Sequence, residues 1–555
     1  MKEYKKLTFP ELIRVSAKNF NKRPAVAFVG EKPVTYGEFH KNVNALIAFL
    51  EKLNVEPGDR VAILSTNSPH WGMVYFAVVS MGAVVVPLLP DFSSEEIKNT
   101  LRHSRSKVLF VSKSLIPKVK SFSIHSLVHK VSMEEFKIIG DSSDILFDNN
   151  ATPLKQYDIQ EDDLAAIIYT SGTTGRSKGV MLSHKNIIFD AIKASKFQLV
   201  TSKDRFLSVL PLSHTYENTI GFVLPLIYGA AIYYLKKIPS PSVLIPAMEK
   251  VRPTLMLTVP LIIEKIYRSK ILPAFNDKQL VKKLYSKPFI RKRMNKLAGK
   301  KLLKIFGGEL KFFGVGGAKI NEEVEKFLLE AKFPYAVGYG LTETSPLLAG
   351  FGKKDARLQS AGTIIDDIEV IIHDPDPETG EGEIWARGPN VMKGYYKEPE
   401  LTKQVLTDDG WFKTGDLGVF DKDGYLYIKG RSKNVIIGAG GENIYPEEIE
   451  AVINNYENVE ESVVVEQNGK LVALVHLNWD ALQEKFQNIQ ENFENYLDEK
   501  YPELRNEIKK YINERVSRFS KIQDVNLVKE EFVKTATKKI KRFLYKKEKN
   551  GKSFQ

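Results

Sequence analysis

Apolar residues in this chain come in short, nearly unbroken runs of four to six residues, at 60–64, 84–88, 108–111, 166–169, 207–210, 254–259 and 310–315. Helix-length amphipathic segments separate them. A run without alternation is a strand buried on both faces, and strands alternating with helices predict mostly parallel sheets covered on both sides. Two longer apolar stretches divide in the same way. Residues 71–89 contain Ser80, Gly82 and Pro87, which split them into a buried helix and a Val-rich strand. Residues 221–235 divide at Gly229. Both read as core rather than as membrane spans, which need about 20 apolar residues.

The texture changes after about residue 360. Short strands are expected at 368–372, 382–386, 412–420 and 425–428, with a turn at Asp423-Gly424. A second hairpin, 463–466 with 471–476, turns at Asn468-Gly469, and helical sequence follows from Trp479 to about Ser517. Asn-Gly and Asp-Gly supply the positive φ angles that tight hairpins require. The expected fold class is α/β. A large N-terminal body of stacked, mostly parallel sheets with a β-rich flank spans 1–430, and a small mobile α+β domain spans 431–555.

Composition narrows the function. The 555 residues are 43% hydrophobic and 27% charged, which is ordinary globular usage and excludes a fibrous or disordered chain. There is no cysteine, so no disulfide, thiolate metal site or cysteine nucleophile exists, and any reacting thiol must arrive with a substrate. The net charge of +13 points to anionic partners. The charged start, Met1 to Lys6, is followed by no apolar run, so the expectation is a cytoplasmic protein.

The sharpest local signal runs from Ile167 to Gly179. A buried strand enters a loop containing Thr170, Ser171, Gly172, Thr173, Thr174, Gly175 and Lys178. Glycines let backbone N–H groups converge on an anion, and hydroxyls and a lysine add donors. A Ser/Gly-rich surface loop is the competing reading. Ser177 stands where a Walker-type loop needs glycine, which argues against a GTPase or ordinary kinase. Further along stand Tyr339-Gly340-Leu341-Thr342-Glu343-Thr344, the run Gly410 to Asp416, Gly430-Arg431-Ser432-Lys433, and Lys534 to Arg542.

In this order, over residues 58–542, these motifs closely resemble the adenylate-forming superfamily of acyl-CoA synthetases, luciferases and peptide-synthetase adenylation domains. The resemblance implies that a carboxylic acid reacts with ATP to give an acyl adenylate and pyrophosphate, after which a thiol displaces AMP. It places ATP phosphates on Thr170 to Lys178 and adenine against Gly316, Gly317, Ala318 and Tyr339-Gly340. It puts the α phosphate at Thr342, Mg²⁺ at Glu343, and the ribose at Asp416 with Arg431. Lys539 is the implied catalytic lysine, offsetting repulsion between carboxylate and phosphate. Many members have Gly-Lys where this chain has Lys538-Lys539, so Lys538 and Lys541 are rivals. Lys433 is the implied hinge, and the Gly438 to Gly441 loop, with Gly440 and Gly441, the implied approach to CoA.

Within that superfamily, Pro211 to Glu217 resembles the acyl-pocket segment of long-chain fatty acid–CoA ligases, with His214 near the adenylate. Medium-chain or aryl acids, or transfer to acyl carrier protein, are alternatives. Residues Lys278–Lys304 carry eleven Lys/Arg and no Asp/Glu, interleaved with apolar residues. A solvated helical hairpin and a peripheral contact with the inner, anionic membrane face both suit that pattern. Nucleic acid is not an expected partner, and a homodimer is compatible with the reading.

Overall fold

The computed structural model describes residues 4–140, 145–170, 177–276, 279–438, 442–479, 493–535 and 539–546. Among these residues two large sheets form the body. The first has nine strands in the order 363–364, 347–351, 335–340, 312–315, 255–258, 205–208, 231–234, 24–28 and 34–35. Its six central strands are parallel, and antiparallel strands finish both edges. The second has seven strands, 394–395, 178–183, 164–170, 84–88, 60–64, 108–111 and 129–132.

One core joins the sheets. Trp71, Phe76, Phe39 and Phe222 lie at its centre, each at most 1% exposed. The helix Pro69–Ser80 runs through it with 11 of its 12 residues buried. A helix apolar all round can be stable only when enclosed on every side. Ser68 caps its start by accepting a hydrogen bond from the Trp71 N–H, and Pro69 needs no partner at the first helical position.

The flank is a four-stranded antiparallel sheet, Glu369–His373, Gly382–Arg387, Phe412–Phe420 and Leu426–Arg431. The strand Leu426–Arg431 thus carries the chain across the expected 430/431 boundary before a short turn at Ser432–Asn434. Beyond it, a three-stranded sheet pairs Val459–Gln467, Lys470–Leu477 and Asp524–Val528 under helices Pro446–Ile453 and Phe493–Asn513. Its hairpin turns at Asn468 and Gly469, with φ of 53° and 73°. No helix of the described residues is long and apolar enough to cross a membrane.

Candidate active site

The glycine-rich loop closes a hairpin. Leu164–Thr170 pairs antiparallel with Lys178–Ser183, and Thr170 faces Lys178 across the ladder. A Walker-type loop leads from strand to helix, so this is a different device. Ser171, Gly172, Thr173, Thr174 and Gly175 lie outside the described residues. Lys178, half-buried, holds its amine 5.0 Å from the centre of the Tyr395 ring. Burial and the nearby Lys433 lower the Lys178 amine from its ordinary value, while Glu343 opposes them.

Across the cleft, strand register assembles a second cluster. Asp416 pairs with Arg431 in the flank sheet, which sets the two side chains beside each other. The Arg431 Nε lies 2.7 Å from one carboxylate oxygen of Asp416, and the Tyr339 hydroxyl donates to the other at 2.9 Å. Thr414 Oγ1 accepts from the Asp416 N–H and donates to Ile384 O, tying the turn to the neighbouring strand. Burial pushes the Asp416 carboxyl above its ordinary range, against the pull of Arg431, the Tyr339 hydroxyl and Lys539.

Tyr339 ends the strand Tyr335–Gly340. A Cβ on Gly340 would lie 1.7 Å from Pro346 O, so only glycine lets the chain double back there. The turn Thr342–Thr344 follows. Glu343 is half-buried and accepts a hydrogen bond from the Tyr395 hydroxyl at 2.9 Å. Gly316, Gly317 and Ala318 follow the strand Phe312–Val315. A Cβ on Gly316 would press on the Tyr216 ring at 3.0 Å.

Lys539 reaches this cleft from the other end of the chain. Lost hydration and the Arg431 guanidinium hold its amine below its ordinary value, with Asp416 and Glu343 acting in the opposite sense. The residue remains exposed overall, and its charge acts on Asp416 and His214 across the cleft. His214 stands near it, and burial followed by the charge of Lys539 lowers its imidazole to about 4, so it is neutral at pH 7. Lys539 sits in a small loop closed by a bridge between Lys534 and Ile540. Thr535 N–H donates to Lys539 O at 2.8 Å, and Lys539 N–H to Thr535 Oγ1 at 3.2 Å. Just beyond, Arg542 donates to Glu450 Oε2 at 2.8 Å and to Val464 O at 2.7 Å, inside the small domain.

The structure therefore brings together Lys178, Glu343, Tyr339, Asp416, Arg431, Lys433, His214 and Lys539. Lys538, Ala439, Gly440 and Gly441 fall outside the described residues. Sequence reasoning missed Tyr395, the partner of both Glu343 and Lys178, and the pair Glu450–Arg542. No local pattern marks them, because the partners lie 52 and 92 residues apart.

Beside Gly338, the neighbour of Tyr339, opens a narrow cavity of about 40 Å³. Its walls include Phe197, Phe206, Ile220, Leu224, Phe312 and Phe351. Among the described residues no charged side chain lines it, and Gln198 and Tyr216 supply its polar side-chain atoms. Behind it, the fully buried Glu217 accepts from Ser208 Oγ at 2.6 Å, and burial pushes its carboxyl up to about 8. Ser208 Oγ in turn accepts from Asn67 Nδ2 at 3.0 Å.

Comparison with known proteins agrees with this geometry. The family model described as AMP-binding enzyme matches residues 13–396. The long-chain-fatty-acid–CoA ligase heimdall of Drosophila melanogaster is 28% identical over 80% of this chain and 72% of its own length. 4-coumarate–CoA ligase 2 of Nicotiana tabacum is 30% identical over 81% of both chains. The fold is similar to that of O-succinylbenzoate coenzyme A synthetase from Bacillus subtilis in complex with AMP. That likeness has a TM-score of 0.76 and 23% identity over 98% of this chain and 99% of the other. With a match over more than half its length, this chain belongs to the AMP-binding enzyme family.

Proposed function

We propose that the chain is a long-chain fatty acid–CoA ligase. Its coarser activity, AMP-forming ligation of an acid to CoA driven by ATP, is common to the relatives described above. The finer assignment is supported by one observation: the cavity beside Tyr339 is lined by apolar side chains, without a carboxylate or ammonium to pair with a charged tail.

On this reading Thr170, the 171–175 loop and Lys178 hold the β and γ phosphates. Tyr339, Gly316, Gly317 and Ala318 hold adenine, and Asp416 with Arg431 holds the ribose. A carboxylate is the natural double acceptor for two ribose hydroxyls. Glu343 and the phosphates fit Mg²⁺, which commonly takes one or two carboxylates plus phosphate oxygens. The ion would neutralise phosphate charge. Lys539 then stands where carboxylate and α phosphate meet. A carboxylate oxygen attacks the α phosphorus and the bond to the bridging oxygen breaks, releasing pyrophosphate. Thr342 contacts the α phosphate and neutral His214 borders the adenylate. In the second half-reaction the CoA sulfur attacks the acyl carbonyl and AMP leaves. That step uses rotation about Lys433 of the small domain beyond the strand Leu426–Arg431, bringing in the loop with Gly440 and Gly441.

An aryl acid is the second reading. The Tyr216 hydroxyl lies on the cavity wall, close enough to touch a Cβ on Gly314 at 2.8 Å, and could meet a ring hydroxyl. Pyrophosphate release across acids from acetate to oleate, with 4-coumarate alongside and CoA or carrier protein as acceptor, separates the readings. Preference for acids of 14 carbons or more with CoA supports the first. Preference for coumarate overturns it.

A further inference from the structure

Residues 278–304 hold eleven positive charges and no negative one, which leaves the rest of this +13 chain close to balance. The structure shows where those charges go. Helix Pro288–Ile305 buries Asn295, Gly299 and Leu302, a single narrow stripe. Gly299 allows that stripe to sit tight against Ala331, where an added Cβ would stand 2.8 Å from Ala331 O. Glu330, the carboxylate beside the helix, is engaged on the packed side by Arg291 at 2.8 Å and by Asn295 at 2.8 Å. The exposed side carries Arg293, Lys296, Lys300, Lys301 and Lys304, with Lys292 exposed at its border, and none of the six is in an ion pair among the described residues. Between them stand Phe289, 67% exposed, and Leu297, 62% exposed. The Arg293 guanidinium lies 4.5 Å over the Phe289 ring.

We infer that this helix face is a docking surface for an anionic lipid bilayer. Six unpaired cations match a layer of anionic headgroups, and two exposed apolar side chains among them can enter the headgroup–acyl boundary. A polyanion such as nucleic acid offers nothing to an exposed leucine, so the pairing of charge with apolar groups favours lipid.

The test measures sedimentation of the full chain with vesicles, without ATP or acid, so its outcome does not depend on which acid the enzyme activates. Phosphatidylglycerol-containing vesicles should capture the protein at 0.1 M salt and release it at 0.5 M, and pure phosphatidylcholine should not capture it. Each lysine near an anionic surface is worth about a factor of five, so the triple variant Lys296→Gln, Lys300→Gln, Lys304→Gln should bind about a hundredfold more weakly. Phe289→Ser with Leu297→Ser should weaken binding about tenfold and leave its salt dependence unchanged. Activity on a soluble short acid and thermal unfolding check that both variants are folded. Failure of the wild type to bind anionic vesicles overturns the inference. So does equal capture by phosphatidylcholine, or binding to single-stranded oligonucleotide as tight as to lipid and insensitive to Phe289 and Leu297.

Discussion

The two banks of the cleft are built differently. Tyr339, Asp416 and Arg431 stand on strands whose register sets them side by side, and a hydrogen bond and an ion pair join them within one body. Lys539 stands on a short loop whose supports, Lys534–Glu461 and Arg542–Glu450, all belong to the small domain. A nucleotide held by the first bank can remain in place through a reaction sequence. On the proposed reading, a lysine held by the second leaves when its domain turns. The difference separates what must be rigid from what must be exchangeable, and each prediction below loads one bank without the other.

The largest effect is expected at the mobile bank. Lys539→Ala should slow adenylation by a few hundredfold, since an electrostatic contact made chiefly in the transition state is worth about 3–4 kcal/mol. Thioester formation from supplied acyl adenylate should be largely spared. Lys433→Pro should give the opposite pattern, because proline fixes φ near −65° and restricts the turn at Ser432–Asn434. Pyrophosphate exchange should persist while thioester formation collapses. Near-normal adenylation in the first variant moves the role to Lys538 or Lys541, and full thioester synthesis in the second excludes Lys433 as hinge.

Arg542→Met tests the support rather than the lysine. It strands Glu450, which is largely buried in the small domain, and breaking such a pair costs about 3 kcal/mol. The small domain should unfold earlier in calorimetry, and adenylation should fall with it. An unchanged first transition would show that this pair does not hold the loop.

How much of this was legible in the sequence divides along the same line. Strands 60–64, 84–88 and 108–111 match their expected ends, because continuous burial writes itself as continuous apolar sequence, whereas 412–420, which also matches, buries alternate residues between turn signals. The strand expected at 207–210 is instead Arg205–Ser208. Val209 and Leu210 are apolar for another reason: they pack against the cores flanking this sheet after the strand has ended, and Leu210 O accepts from Asn67. Local motifs named both banks of the cleft. They could not name Tyr395 or Glu450, whose surroundings come from distant segments; the segment 211–217 marked the neighbourhood of Tyr216 and Glu217, but not that Tyr216 lines the cavity or that Glu217 is buried behind it.

Glu217 offers a pH probe of the fixed body. Its folded value of about 8 lies above the ordinary 4.5, so the folded state holds a proton that the unfolded chain gives up. Its contribution is complete below the ordinary value and is lost as pH rises toward 8, at about 1.4 kcal/mol per pH unit. Glu217→Gln keeps a neutral group in that place. Its stability relative to wild type should therefore climb by about 2–3 kcal/mol between pH 5 and 7. A flat difference across that range would mean Glu217 is ionised in the fold.

The smallest effect belongs to Tyr339→Phe. On the proposed reading the ring still lies against adenine, and only the hydroxyl that donates to Asp416 is removed. Asp416 keeps Arg431 at 2.7 Å and the turn held by Thr414, so its carboxylate should stay in place. A hydrogen bond to a charged group is worth about 1.5 kcal/mol at the lower end, roughly tenfold in affinity. If the fixed bank binds nucleotide equally in the ground and transition states, that loss belongs in KM for ATP and not in kcat. Pyrophosphate exchange at varied ATP measures both. A rise in KM with kcat unchanged supports a bank that only holds. An equal fall in kcat would mean that the Tyr339–Asp416 contact tightens during the chemistry, and the contrast between the two banks would then be one of degree.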